Sequence, residues 1–360
     1  MTLAELGWSD FFASAFAEHA TAGLQPARVT LELKGFFEVT GVDGARLGEC
    51  TGKFIHDARR AADYPVVGDW VAVSPQPGDE TRAAIHAVLP RRTKFSRKAA
   101  GDQTVEQVVA ANIDTLFLVS SLDGNHHLHR LERYLAAAWA GGAEPVVLLN
   151  KADLNDDTDG LIAEIASVAP QVPVYVVSAQ TRRGLRALGR YLTPGRTVAL
   201  LGSSGVGKST LINRLVGERV QFTQEVREAD RKGRHTTTQR ELIVTPSSVI
   251  VIDTPGMREI QPWDAAGGVA AAFEDVAALT ARCRFRDCTH TVEPGCAVQE
   301  ALAAGTLSPE RWEAYERMRD STVLAVRRAV GSGGGARRKA EHKKAVKALR
   351  QRVREKHGEE

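Results

Sequence analysis

The stretch VALLGSSGVGKSTLINRL, Val198 to Leu215, constrains this chain more than any other. Gly202, Gly207, Lys208 and Ser209 have the spacing G-x-x-x-x-G-K-[ST], preceded by an apolar run and followed by a helix-forming one. A strand, a glycine-rich turn and a helix in that order make an anion cradle. The turn offers backbone N–H groups, and the helix N-terminus adds positive potential. The expected nucleotide-binding residues here are Gly202, Ser203, Ser204, Gly205, Val206, Gly207, Lys208, Ser209 and Thr210. Lys208 is the catalytic cation, able to reach the β- and γ-phosphate oxygens, and Ser209 is a Mg²⁺ ligand.

A phosphate loop needs a sheet behind it. From about Gln107 the runs IDTLFLVSS, EPVVLLN, VPVYVVSA, RTVALLG, RELIVT and SVIVIDTPG are apolar and β-branched, with helical stretches between several of them. That alternation predicts a mostly parallel α/β sheet covered on both faces. In SVIVIDTPG, Asp253 ends a strand where its carboxylate can hold Mg²⁺ through water, and Gly256 can offer its N–H to the γ-phosphate. Between these elements lies GRHTTT, Gly233 to Thr238, where a threonine is expected to close on Mg²⁺. Thr237 is the first choice, with Thr236 and Thr238 left open.

Base recognition is read from NKAD, Asn150 to Asp153, at the end of another apolar run. A carboxylate at Asp153 can accept from both N1–H and N2–H₂ of guanine. Adenine lacks that donor pair and would leave a buried carboxylate unmatched. Asn150 can meet the base from another edge, Lys151 can lie along its face, and the backbone of Ser178 and Ala179 in VVSAQ can meet the guanine carbonyl. Asp153 therefore favours GTP as substrate over the rival reading of an ATP-using kinase or ATPase. The order of these parts is unusual: base site, Ser-Ala, phosphate loop, threonine loop and D-T-P-G form a rotation of the ordinary GTPase order. One sheet can serve both orders if the old termini are joined and a new break falls in a surface loop. The segment after D-T-P-G then leads straight into the C-terminal region.

Met257 follows D-T-P-G, where many GTPases place a water-positioning glutamine. A thioether cannot orient water, so either the free protein hydrolyses slowly or another group serves; His235 in GRHTTT is the nearest chemically suitable candidate, with a structural or RNA-facing histidine as the alternative. A nucleotide-gated RNA scaffold with incidental hydrolysis is the rival that Met257 keeps open.

The flanking regions read differently. Residues 1–22 look like a short amphipathic helix. RVTLEL, GFFEVTG, ARLGECTGKF, DWVAVSP and AAIHAVL then predict five short strands, as a small β-barrel with a β-sandwich as the alternative. Cys283, Cys288, His290 and Cys296 form C-x₄-C-x-H-x₅-C, and three thiolates with one imidazole suit a structural, tetrahedral Zn²⁺. Cys50 stands apart and reads as a small core residue. No apolar run approaches the ~18–20 residues of a membrane span. The N-terminus carries acids rather than an early basic cluster, so a cytoplasmic protein without a membrane partner is expected.

The formal net charge is only +3, so the argument for a nucleic-acid partner rests on where the bases cluster. RRTKFSRK gathers Arg91, Arg92, Lys94, Arg97 and Lys98 around Phe95, a pattern suited to phosphate contact and stacking. Arg282, Arg284 and Arg286 interleave with the cysteine cluster, and the tail beyond Gly335 is strongly basic.

PVVGDWVAV, LPRRTKFSRK, NKADL, GSSGVGKST, GRHTTT, DTPGMRE and CRFRDCTHTVEPGC together resemble the circularly permuted GTPases of the RsgA/YjeQ type, over about Val29 to Val330. The resemblance implies an OB-fold barrel, a permuted α/β P-loop GTPase and a C-terminal helical zinc-binding domain. The expected boundaries are 1–26 for a helical extension, 27–106 for the barrel, 107–265 for the GTPase, 266–332 for the zinc domain and 333–360 for the basic tail. It also implies action in late maturation of the small (30S) ribosomal subunit, with the subunit and its 16S rRNA as partners of a monomeric enzyme.

Overall fold

The computed structural model describes residues 1–98, 106–123, 128–155, 158–216, 240–253, 269, 272–291 and 293–329. His235, Thr236, Thr237, Thr238, Gly256, Met257 and the basic tail lie outside them, as do the side chains of Asp253 and Lys98.

The alternating segments near the N-terminus form strands β1 (Gln25–Glu32), β2 (Phe37–Gly41), β3 (Gly44–Cys50), β4 (Trp70–Gln76) and β5 (Asp79–Val88). Their pairing order is β1-β2-β3-β5-β4, and β4 pairs again with β1, closing a five-stranded barrel. All neighbours are antiparallel except β3 with β5. The parallel pair needs a crossover, and helix α2 (Gly52–Asp57) lies in it, its start capped by the Thr51 hydroxyl accepting from Phe54 N–H. Inward residues fill the barrel, Val29, Val39, Val71, Val73 and Ile85 among them, and Cys50 is buried with them as expected. The N-terminal helix is shorter than the sequence pattern indicates. It is α1 (Asp10–Thr21), and Phe12 and Phe16 pack it onto Trp70 with Leu6 from the preceding turn.

The second half of the sheet runs β10-β9-β8-β11-β13-β12, from β8 (Thr115–Ser121), β9 (Glu144–Asn150), β10 (Val174–Val176), β11 (Thr197–Gly202), β12 (Glu241–Val244) and β13 (Ile250–Asp253). All pairs are parallel except β12 with β13. Its strands read as apolar runs because both faces are covered. Helices α3 (Leu128–Gly141) and α4 (Asp159–Val168) pack with one core. Helix α5 (Lys208–Val216) and the 3-10 segment Leu185–Tyr191 pack with the other.

Barrel and α/β sheet are hydrogen-bonded into one surface, because β12 pairs with β1 at Glu241 and Leu31. Buried Arg28 sits behind this junction. Its guanidinium donates to Leu6 O (2.5 Å), Gly68 O (3.2 Å), Asn112 O (3.3 Å) and Thr197 Oγ1 (2.9 Å). Four neutral acceptors offset part of the cost of burying the charge. Desolvation still lowers its pKa to about 9 against the pull of Asp69, which leaves it charged at neutral pH.

RRTKFSRK differs from its sequence reading. It enters strand β6 (Lys94–Lys98), which pairs with β7 (Glu106–Ala111) as a separate hairpin packed against α3. Phe95 is 2% exposed and belongs to the core, so it is no stacking platform. Arg91 is also turned inward. It binds both carboxylate oxygens of fully buried Asp69 at 2.7 and 2.8 Å, and donates to Ala62 O and Tyr64 O. An internal ion pair therefore uses the charge assigned to RNA. Arg92 pairs with Asp114, and Lys94 pairs with Glu106 at 2.8 Å, both with partly exposed side chains.

Beyond the α/β unit come α6 (Glu274–Thr280), α7 (Ala297–Ala303) and α8 (Pro309–Ala329). Phe273, Val276, Val298 and Trp312 join the core that contains α3 and α4. No helix among the described residues is long and apolar enough to cross a membrane.

Candidate nucleotide site and metal cluster

Strands β8, β9, β10, β11 and β13 are parallel, so their carboxyl ends share one edge of the sheet, the edge where open α/β sheets bind ligands. Gly202 ends β11 there, Asn150 ends β9, Asp253 ends β13, and Ser178 and Ala179 follow β10. Motifs distant in sequence are thus gathered at one rim.

Asn150 ties three of them together. Only 1% exposed, it donates through Nδ2 to Val206 O of the phosphate loop at 2.8 Å. Its Oδ1 accepts from Ala179 N–H at 3.0 Å. The amide expected to meet a base edge therefore bridges two loops. The neighbouring glycine follows from this contact. A Cβ at Gly207, whose φ is +94°, would lie 2.3 Å from Asn150 Nδ2. At the strand end, a Cβ at Gly202 would lie 2.4 Å from Val119 O. No side chain fits at either position.

Lys208 is folded onto its own loop, its Nζ donating to Gly202 O at 2.7 Å and Ser203 O at 2.6 Å. Ser209 and Thr210 open α5 with exposed side chains, and Ser204 and Gly205 are exposed at the crest of the loop. Arg130 of α3 donates to the Ser203 hydroxyl, a contact the sequence reading missed.

At the base end, Lys151 adopts a left-handed φ of 67°. Its Nζ pairs with Asp123 at 2.5 Å, and Asp123 also accepts from Ser121 Oγ at 2.6 Å. Asp123 was not anticipated; it anchors the lysine just beyond β8. Asp153 is exposed, and one of its oxygens accepts from the Ser178 hydroxyl. That hydroxyl accepts in turn from Thr181 N–H at 3.0 Å. The N–H groups of Ser178 and Ala179, expected to reach a guanine carbonyl, donate instead to Arg183 O and Asn150 Oδ1 at 3.0 Å each. The loop closes on itself through them.

The four expected metal ligands also converge. One donor atom each from Cys283, Cys288, His290 and Cys296 lies within 4.8 Å of all the others. His290 Nδ1 is 3.5 Å from the sulfurs of both Cys283 and Cys296, which are 4.0 Å apart. A tetrahedron with Zn–S of about 2.3 Å has S–S edges of about 3.8 Å, so the donor set fits zinc. Burial lowers the His290 pKa and favours the neutral imidazole a metal requires. Trp312 packs edge-on against that ring, centroids 5.4 Å apart. Arg282, Arg284 and Arg286 stay exposed beside the cluster with Phe285, over whose ring the Arg284 guanidinium lies at 5.5 Å.

A family model described as RsgA GTPase matches residues 88–263. A relative from Opitutus terrae, called small ribosomal subunit biogenesis GTPase RsgA, is 51% identical over 336 residues, which is 91% of this chain and 92% of that protein. The chain belongs to the RsgA GTPase family. A Methanosarcina acetivorans RsgA is 49% identical over 75% of this chain and 73% of its own length. Among solved structures, YjeQ from Thermotoga maritima superposes with a TM-score of 0.62 at 26% identity, covering 83% of this chain and 99% of that one. YloQ, described as a circularly permuted GTPase, has a TM-score of 0.57 at 24% identity, covers 84% and 96%, and supports the fold. The expected fold class holds: a closed N-terminal barrel, a permuted P-loop GTPase and C-terminal helices bearing a Cys₃His cluster. The RsgA-family chain is a GTP-hydrolysing enzyme.

Proposed function

We propose that this GTPase docks on the small ribosomal subunit late in its maturation, that GTP favours docking, and that hydrolysis, stimulated by the subunit, permits release. The relatives' names supply the partner. The observation that carries the nucleotide reading is the Asn150 bridge, which joins base-site and phosphate motifs 56 residues apart in sequence.

On this reading GTP lies along the carboxyl edge of the α/β sheet. Asp153, turned outward at the rim, reads guanine, while Lys151 covers one face of the base and Asn150 holds the two loops in register. Lys208 exchanges its carbonyl partners for β- and γ-phosphate oxygens, a charge-assisted contact stronger than the neutral ones it leaves. Ser209, Thr237 and Asp253 would hold Mg²⁺, and that ion would neutralise charge on the β- and γ-phosphates. His235 orients the attacking water in place of Met257. Zinc held by Cys283, Cys288, His290 and Cys296 would tie the loop carrying Arg282, Arg284 and Arg286 to the start of α7. With Arg92, Lys94, Arg97 and Lys98 of the hairpin, those arginines form a distributed phosphate-binding surface for 16S rRNA. The protein works as a cytoplasmic monomer of the five segments bounded at 26, 106, 265 and 332.

Steady-state phosphate release at fixed GTP, with intact small subunits titrated at two salt concentrations, tests this. Small subunits should raise turnover by at least ~10-fold, large subunits should not, and salt should weaken the response through counterion competition. His235→Ala should lose much of the stimulation while still binding GTP. A flat titration with demonstrably bound subunits would favour an RNA scaffold whose hydrolysis is incidental.

A further inference from the structure

We propose that Arg130 is a second cation of the phosphate site and acts on the γ-phosphoryl group during hydrolysis. This rests on the GTP reading above and adds a residue from outside the recognised motifs. Arg130 is the third residue of α3, and its guanidinium donates to the hydroxyl of Ser203, the second residue of the phosphate loop. Lys208 Nζ rests on the carbonyls of Gly202 and Ser203. The two cations therefore meet at Ser203, Lys208 at its carbonyl and Arg130 at its hydroxyl. The acid two positions along α3 is engaged elsewhere: Glu132 binds Arg317 at 2.8 Å and faces His129 at 3.3 Å. A guanidinium on a neutral hydroxyl gives up little on moving to a multiply charged phosphate, because charge-assisted bonds are about twice as strong.

The surroundings favour such a move. Tyr134, one helical turn beyond Arg130, is buried against the same place, and its hydroxyl has no partner of good hydrogen-bond geometry. Burial raises its pKa, while Arg130, Arg133 and Ser203 pull it down. The phenol is thus neutral, able to take over the Ser203 hydroxyl when Arg130 leaves. The reaction also calls for a cation. The water oxygen bonds to the γ-phosphorus as the bond to the β–γ bridging oxygen breaks. The electron pair stays on the β-phosphate of GDP, and the water proton ends on the released phosphate. Negative charge accumulates on those oxygens. An arginine supplied by the same chain offsets it beside Lys208, a role separate from the water positioning assigned to His235.

The experiment compares wild type with Arg130→Ala, Arg130→Gln and Arg130→Lys in the full chain, with and without small subunits. Phosphate release is measured at saturating GTP, affinities for GTP and GDP are measured separately, and thermal melting monitors folding. The neutral variants should lose at least ~10-fold in kcat and more affinity for GTP than for GDP, with Arg130→Lys recovering part of the rate. A kcat within twofold of wild type in a folded neutral variant overturns the proposal. So does an equal loss of GTP and GDP affinity with kcat unchanged, which would make Arg130 a positioning residue for the loop. If Arg130→Ala does not fold, Arg130→Gln carries the same comparison. Wild-type protein that binds ATP as well as GTP, or turns over neither, would instead fail the nucleotide reading itself.

Discussion

Replacing Asn150 by alanine should damage the base site and the phosphate loop together. The buried side chain makes one bond to each, at 2.8 Å to Val206 O and 3.0 Å to Ala179 N–H. Its removal leaves one carbonyl and one N–H without a partner, at about 1–3 kcal/mol each when water cannot replace the lost group. Asn150, Val206 and Ala179 are all buried, so the cost is at least about 2 kcal/mol in all. Only the part of this cost that falls on the nucleotide-bound arrangement and not on the free protein reaches affinity, so about 2 kcal/mol sets a ceiling of ~30-fold weaker binding for GDP and GTP alike, at about 1.4 kcal/mol per tenfold. The two ligands should suffer alike, because the bridge touches neither the γ-phosphate nor the hydrolytic water. Fluorescent-nucleotide titration measures the affinities, and urea denaturation shows whether the protein remains folded. Asp153→Asn is the contrast. It should leave the bridge intact and move preference from GTP towards xanthosine triphosphate, since an amide can donate to the extra carbonyl. A folded Asn150→Ala protein with GDP and GTP affinities within twofold of wild type would refute the bridging argument.

Arg91→Ala should destabilise the fold by about 3–5 kcal/mol in urea denaturation, because it leaves Asp69 buried and unpaired; Arg92→Ala should cost far less stability and act mainly on subunit binding. Freshly purified protein should carry about one zinc per chain by elemental analysis, and Cys288→Ser should reduce it and loosen the C-terminal helices while GTP binding persists.

Much of the fold was legible because its signals are local. Period-two strands marked the barrel, and β-branched runs marked the parallel sheet, with each nucleotide motif at a strand end. The cysteine and histidine spacing picked out, without any structure, four side chains that converge as a set able to hold a metal. The basic segment shows why some readings failed. In RRTKFSRK the composition says charged surface, yet Arg91 turns inward because Asp69 waits there, and that partner lies 22 residues away. The β6–β7 hairpin was missed for the same reason, although the apolar run VVAA at 108–111 was a usable strand signal. Nothing local marks Arg28 or Arg130 either. Each looks like an ordinary charge in its own segment, and each acquires its meaning from a contact 22 to 169 residues distant.

The permutation sets the C-terminal helices against elements that follow two of the nucleotide motifs, α4 after NKAD and residues 272–275 after Asp253. Arg311 of α8 donates to Val168 O at the end of α4, the helix that follows the NKAD segment. It also binds Ala272 O at 2.7 Å, both oxygens of Asp275 at 2.7 and 3.2 Å, and the face of Phe273 at 4.2 Å, all in the segment downstream of Asp253. Arg317, two turns along the same helix, reaches Glu132 of α3, and α3 carries Arg130 to the phosphate loop. Helix α8 thus bears on α3, on α4 and on residues 272–275 through two arginines. In the ordinary GTPase order, the chain after D-T-P-G would return into the sheet. Here it runs to the Arg311 contacts before it reaches Cys283. Any displacement of residues 272–275 relative to α4 must break charge-assisted bonds at Arg311, about 1.5–3 kcal/mol each. That is the scale on which a bound γ-phosphate can bias one arrangement over another. A rearrangement of this kind would reach the Cys₃His cluster by way of α8, the helix that also packs Trp312 against His290.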